Sequence, residues 1–343
     1  MSAALRYWIG GTLGFIVALL VWGYVTYTSP GPLSEPTNIV IPKGIGVERI
    51  AARLAEAGVI RYPRFFAMMA GLLGETRRLR AGEYRFPAHA SQRVAMDVLI
   101  YAKPVVRRLT IPEGFTTAQV LEELARTDGL EGPVDAKPAE GSLLPETYNF
   151  SYGDTRDEMI ARMRRAMTET IDTLWKERAP NLPLKSPRDA LILASIVEKE
   201  TGIAEERPHV AAVFLNRLRR NMRLQSDPTV VYAVTHGSGS LGRPLSHADL
   251  ETASPYNSYL YDGLPPGPID NPGRASIMAV LHPAESDDLY FVADGSGGHV
   301  FAKTLAEHNK NVARLRRIEA QPGPMKPSAS PSASPATGAA SHP

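Results

Sequence analysis

Apolar residues along this chain fall into one long unbroken run and then into short periodic segments. Tyr7–Tyr27 (YWIGGTLGFIVALLVWGYVTY) carries no charge. About twenty apolar residues match the thickness of a bilayer's hydrocarbon core. After it the pattern alternates between short β-like stretches and helical stripes. Strands are predicted at Asn38–Ile41, Gly82–Phe86, Arg107–Ile111 and Leu289–Ala293. Helices are predicted at Val47–Ala57, Arg64–Leu73, Gln92–Ala102, Thr117–Arg126, Asp157–Arg178, Glu206–Arg220, Thr229–Val234 and Arg274–Leu281. Ser186-Pro187-Arg188-Asp189 has the form of a helix start, with Ser as N-cap and Pro at the first helical position. It launches ALILASIVEKETG. There Leu193, Ile196, Val197 and Glu200 recur at i, i+3, i+4 and i+7, placing a carboxylate on an aliphatic stripe.

Such a carboxylate is expected to be partly desolvated. Desolvation disfavours the charged form and raises the pKa towards neutrality, which suits a general acid. Glu198 lies two residues away and so faces elsewhere. Its stripe, Leu191, Ala194 and Ser195, is less apolar. It reads as a supporting acid paired with a basic group. Asp227 in the QSDP turn is a further carboxylate candidate, or else an Asx-type turn before Pro228.

The turns organise the rest. Ile41-Pro42-Lys43-Gly44 and Ile111-Pro112-Glu113-Gly114 each join a short strand to a helix, a weak internal repeat. Glu140–Phe150 reads as a shaped loop anchored by Tyr148 and Phe150. Ser254–Asn271 is a long loop dense in Pro, Gly, Tyr and Asn, of a length that is usually functional. Asp294–His299 (DGSGGH) reads as a hairpin turn into Val300–Ala302. Gln321–Pro343 is Pro, Ser, Ala and Gly with little else, and is expected to be disordered. The fold class expected is α+β, divided into an anchor (1–28), a linker (29–37), a small α+β module (38–135), a mostly helical domain with a small β part (136–318) and a tail (319–343).

Composition narrows the chemistry. The 343 residues carry a net charge of +2, with no clustered basic footprint for nucleic acid. With no cysteine, thiolate metal sites, disulfides and cysteine nucleophiles are excluded. No HExxH, GxSxG, P-loop or GxGxxG after a strand occurs, so neither a metal nor a nucleotide cofactor is expected. Carboxylate acid–base chemistry is left. Aromatics at both ends of the apolar run, and no A-x-A-like site after it, favour an uncleaved anchor over a signal peptide. Arg6 before the run puts the N-terminus inside.

Four separated motifs carry a resemblance: ALILASIVEKETG, ERPHVAAVFLNRLRRNMRLQSDPTVVYA, SPYNSYLYDGLPPGPIDNPG and LHPAESDDLYFVADGSGGHVFAKTLAEHNKNV. In this order and spacing they resemble the YceG-like family, the MltG-type endolytic murein transglycosylases, over roughly Tyr7–Leu315. The resemblance implies a LysM-like module, a catalytic domain with lysozyme-like elements and a peptidoglycan glycan substrate. It implies that Glu200, the second Glu of EKET, is the catalytic acid. It further implies cleavage near the membrane alongside peptidoglycan synthases. Gln225, Tyr256, Asn257 and Tyr259 have amide and phenol groups suited to sugar contacts. They could equally anchor their loops, and the residues alone leave both readings open.

Overall fold

The computed structural model describes residues 3–320; the Pro/Ser/Ala tail expected to be disordered lies outside the described residues. The fold is mixed α+β, an apolar N-terminal helix followed by a mostly helical body. The helix, α1 (Ala3–Thr28), includes Tyr7–Thr28, whose mean hydropathy of 1.8 over a spanning length makes it a candidate membrane span.

Beyond α1 the described residues build three apolar cores. The first is formed by β1 (Thr37–Ile41), α2 (Val47–Glu56), α3 (Pro63–Leu72), β2 (Gly82–Phe86) and α4 (Gln92–Tyr101). β1 and β2 pair antiparallel with Ile39 opposite Tyr84, and their inward side chains meet Leu54, Phe66, Met96 and Leu99. Period-two alternation in the strands and 3.6-residue spacing in the helices turn these residues to one interior. Ser29–Thr37, read from the sequence as a linker, is laid against this core. Leu33 is buried, and Gly31 N–H and the Leu33 carbonyl bond His89.

The second core joins β3 (Val106–Thr110), α5 (Thr117–Arg126), the two-residue β4 (Leu130–Glu131), β5 (Thr147–Ser151), β6 (Asp154–Thr155) and α6 (Arg156–Lys176). β3 pairs antiparallel with β5, so this ladder crosses the 135/136 boundary read from the sequence. Leu109, Ile111, Val120 and Leu124 pack with Leu143, Phe150, Met159 and Met163. Glu140–Phe150, expected to be a loop, thus ends in a strand. Its partner lies some 40 residues upstream, beyond the reach of local pattern.

The third core surrounds α7 (Pro187–Glu200). Against it pack α6, α8 (Arg207–Arg219), α9 (Asp227–Thr235) and α11 (Arg274–Leu281). A short α10 (His247–Leu250), the hairpin β7 (Tyr290–Ala293)–β8 (His299–Ala302) and a final α12 (Leu305–Ala320) complete the order. α7 is buried on nearly all sides from Ile192 to Val197, more fully than a single stripe requires. The loop 254–271 has no helix or strand, as expected, and is tied down from within. Ser195 Oγ accepts from Ile269 N–H at 3.0 Å, and Asn271 bonds Phe115, Thr117 and Leu143 of the second core.

Candidate active site

Ser186 caps α7 by accepting from Asp189 N–H at 3.2 Å, with Pro187 as the first helical residue. Fourteen residues of helix then carry Glu200 to the last helical position. There it meets a cleft of about 480 Å³ lined by α8, the 224–227 turn, Tyr259 and the β7–α12 wall. Loss of water around the carboxyl pushes the Glu200 pKa up to about 7. Ser226 Oγ donates to Glu200 Oε1 at 2.5 Å and pulls the other way, because it favours the ionised form. The negative charge of Asp227 adds to the rise, while His299 and Arg217 reduce it. A carboxyl poised near neutrality can both give and take a proton at working pH.

Arg217 builds the opposite wall. It is buried, and its Nε donates to the Leu289 carbonyl at 2.7 Å while Nη1 donates to the Leu224 carbonyl at 2.8 Å. Its guanidinium also stands 5.2 Å from the Tyr290 ring centre. One side chain therefore joins α8 to the turn bearing Gln225 and to β7. Burial lowers the Arg217 pKa, though the group stays a cation. His308 of α12 lines the same wall, and burial together with Arg217 pushes its pKa down, so it is neutral at pH 7. Behind the hairpin, Glu206 accepts from His299 Nδ1 at 2.7 Å and from His299 N–H at 2.9 Å, which fixes β8 to the start of α8.

The residues singled out from the sequence separate into two groups. Glu200, Gln225, Asp227 and Tyr259 line one cleft. Gln225 holds a positive φ of 50°, uncommon for a residue with a Cβ, and its N–H donates to the Ser258 carbonyl at 3.1 Å. Asp227 begins α9, and its Oδ1 accepts from Tyr259 Oη at 2.6 Å rather than closing an Asx turn. Burial and that bond raise the Tyr259 pKa, so the phenol keeps its proton. Tyr256 and Asn257 lie away from the cleft. Asn257 is fully buried and donates to the Leu250 and Thr252 carbonyls, both at 2.9 Å. Tyr256 packs its ring against Tyr232 at 4.7 Å. Glu198 turns to the other side of α7, where it accepts from Arg207 at 3.3 Å and from Gly273 N–H at 2.8 Å.

Ser226, Arg217, Tyr290 and His308 were not singled out from the sequence. Ser226 sits inside the QSDP turn and could have been suspected as a donor to a nearby carboxylate. Arg217 gives no signal within NRLRR, because only the packed turn and hairpin decide which arginine is buried. Asp227 also borders a second depression of about 420 Å³, lined by Lys199, Pro228 and Tyr232, by Thr116, which caps α5, and by Gln119 of α5. The second core thereby contributes to the surroundings of the cleft.

Replacement of Ser226 by Ala removes a donor to the ionised Glu200. The Glu200 pKa is then expected to rise further, moving the alkaline limb of the pH–activity profile up by about one pH unit, equivalent to ~1.4 kcal/mol. A kcat/KM profile that keeps its wild-type limb would show that this bond does not tune the acid.

A protonatable carboxyl on a buried helix end, faced by fixed donors in an open cleft, makes Glu200 the candidate for carboxylate acid–base chemistry. The chain belongs to the YceG-like family, whose model matches residues 39–314. It is 33% identical over 309 residues to a Bacillus subtilis (strain 168) protein named endolytic murein transglycosylase, covering 80% of this chain and 83% of that one. A Streptococcus pneumoniae protein of the same name is 32% identical over 325 residues. The match takes in 80% of this chain but only 58% of the longer streptococcal one. Among solved structures, a yceG-like protein of Listeria monocytogenes aligns with a TM-score of 0.50 at 31% identity, over 80% of this chain and 98% of its own.

Proposed function

We propose that the protein is a membrane-anchored endolytic peptidoglycan transglycosylase. In this reading it cleaves the bond between N-acetylmuramic acid and N-acetylglucosamine in glycan strands, with Glu200 as the single acid–base group. The observation that carries the proposal is the Glu200 carboxyl at the cleft wall with its pKa pushed up to about 7. The names of the Bacillus and Streptococcus relatives support it.

The protonated Glu200 gives its proton to the glycosidic oxygen as the bond from that oxygen to the muramic anomeric carbon breaks. The anomeric centre becomes oxocarbenium-like. The ionised Glu200 then takes the proton of the sugar's own 6-hydroxyl as that oxygen bonds the anomeric carbon. The products are a 1,6-anhydromuramyl end and a free N-acetylglucosamine hydroxyl. Glu200 is left protonated for the next turn, and no water is consumed. Ser226 stabilises the carboxylate formed midway, and the Tyr259 phenol orients Asp227. Gln225 and Tyr259 supply an amide and a phenol for sugar hydroxyls. The neighbouring depression shares Asp227 with the cleft and so extends the room for a strand beyond the acid itself, as endolytic action requires.

In the same reading residues 38–135 are a LysM-like module, 136–318 hold lysozyme-like elements, and α1 is a single span with its N-terminus inside. The catalytic domain then stands outside the cytoplasmic membrane, beside peptidoglycan synthases and emerging strands. A second reading has one observation in its favour: Asp227 shares the cleft and could activate water, making the enzyme a muramidase-type hydrolase. Mass spectrometry of products from purified glycan separates the two. Anhydromuramyl ends are expected. Reducing ends would replace the transglycosylase by the hydrolase. Binding without turnover would leave a non-catalytic glycan-binding scaffold.

A further inference from the structure

The first core presents an apolar face that its own packing leaves uncovered. α3 is apolar on two sides. Phe66 and Ala70 are fully buried in the core, while Phe65, Met68 and Leu72, at i, i+3 and i+7, form a second stripe on the outer side. Met68 exposes 56% of its surface and Leu72 exposes 77%, and Tyr62, just before the helix, exposes 53%. α3 holds no charge except Arg64 in its first turn. Basic residues flank the stripe: Arg61 and Arg64 before it, and Arg77 and Arg80 after it, while Arg78 between them is paired with Glu75 at 2.8 Å.

The position of this stripe relative to α1 says what covers it. Phe65 packs edge-on against Trp22, with ring centres 5.7 Å apart. Arg61 and Tyr62 share a groove of about 240 Å³ with Trp22 and Val25. Trp22 lies six residues before Thr28, the end of the helix. At about 1.5 Å per residue that is roughly 9 Å inside the end of the span. The mount is fixed rather than loose. Gln92 Nε2 donates to the Thr26 carbonyl at 3.2 Å, and Tyr27 Oη donates to Met96 Sδ at 3.5 Å. α3 therefore lies beside the last turns of α1, where a membrane span would leave the bilayer.

We infer that α3 docks on the lipid bilayer itself: Tyr62, Phe65, Met68 and Leu72 enter the headgroup–acyl boundary, and the flanking arginines engage anionic lipid phosphates. The chemistry is that of an interfacial helix, with apolar side chains buried by about 5–10 Å and a basic rim attracted to the negative surface. This rests on α1 being a membrane span. Its consequence is mechanical. The first core is held against the membrane at two places, α1 and α3, which sets a definite height above the bilayer at which β3 leaves it.

The chain has no cysteine, so single labels can be placed at will. The full chain, reconstituted in phosphatidylglycerol-containing nanodiscs, would carry one fluorophore on M68C, L72C, L13C in the span, or E251C on the catalytic body. Quenching by bromine-labelled acyl chains is then read. Labels at positions 68 and 72 are expected to be quenched at least roughly half as strongly as the label at 13, with position 251 unquenched. Quenching at 13 but not at 68 or 72 overturns the docking. Absence of quenching at 13 instead removes the span reading on which it stands. Self-quenching between labels at 72 on two copies, without lipid quenching, would assign the stripe to a second copy and also overturn the proposal. Anionic headgroups are tested by replacing phosphatidylglycerol with phosphatidylcholine, which is expected to lower quenching at 68 and 72 only. Unchanged values there would refute the arginine contribution.

Discussion

Glu200→Gln is expected to abolish glycan cleavage while making the protein more stable above neutral pH. The loss follows from the removal of the only proton carrier proposed at the reacting bond. General acid–base groups contribute about 10²- to 10⁴-fold, so turnover should fall by at least ~100-fold. The gain follows from the same burial that tunes the acid. In the folded protein Glu200 titrates at about 7, against an ordinary 4.5 in an exposed chain. Between those values the native state holds a proton that the unfolded state has released. The unfolded state therefore binds fewer protons, and unfolding free energy falls as pH rises through the window. The full penalty, on the order of 3 kcal/mol, is reached only above pH 7. Gln keeps the bond from Ser226 but has no charge to desolvate. The stability difference between Glu200→Gln and wild type should thus open between pH 4.5 and 7 and favour the variant at pH 8. Thermal unfolding of the full chain in detergent at pH 5 and pH 8 reads this directly. An equal difference at both pH values would mean that the carboxyl is not held out of water. Retained cleavage would move the acid to another residue, with Asp227 first in line.

Arg217→Ala is expected to be the most destabilising change in the cleft wall. The buried guanidinium satisfies the carbonyls of Leu224 and Leu289, and it also reaches the Arg223 carbonyl at 3.2 Å. Bonds from a charged donor are worth about 1.5–3 kcal/mol each, and buried acceptors left without one cost more than the bond itself gained. A loss of at least ~3 kcal/mol is expected, together with release of the 224–227 turn from β7. Arg217 also lowers the pKa of Glu200, so its loss should raise the alkaline limb in any activity that survives. Urea unfolding and protease sensitivity near residue 224 would measure the first effect. A variant as stable as wild type, with an intact turn, would show that Tyr290 and Phe291 hold the wall without it. The two substitutions are expected to separate the roles: one should remove the proposed chemistry and spare the fold, the other should loosen the fold around it.

Legibility from sequence followed the range of each interaction. α7 could be read to its ends because its signals are local: Ser186 and Pro187 start it, and three aliphatic residues mark the side on which Glu200 falls. β7–β8 was legible because its turn, DGSGGH, is continuous in sequence. β5 was not, since its partner β3 is separated from it by α5 and a long connection. α12 and α10 were also missed. No residue of α12 is fully buried, so no core-facing stripe announces it. For the long loop, Tyr and Asn types suggested sugar contacts, but type alone could not say which way each side chain points. Tyr259 faces the cleft beside Asp227, whereas Asn257, two residues earlier, turns inward to bond the Leu250 and Thr252 carbonyls at the end of α10.

The sequence by itself determined the apolar helix at the start, the helix that carries Glu200, the choice of Glu200 over Glu198 as the acid candidate, and the motifs of the YceG-like family. All of these depend on periodicity or on contiguous residues. Only the tertiary structure decided that Ser226 rather than a second carboxylate meets Glu200, that Arg217 is the arginine drawn inside, and that α3 lies beside Trp22. Those pairings join residues 26, 72 and 43 positions apart. The physical reason is that desolvation and hydrogen bonding depend on what surrounds a group in space. A carboxylate's neighbours along the chain can place it on a helix face, but its neighbours across the fold decide whether it holds a proton.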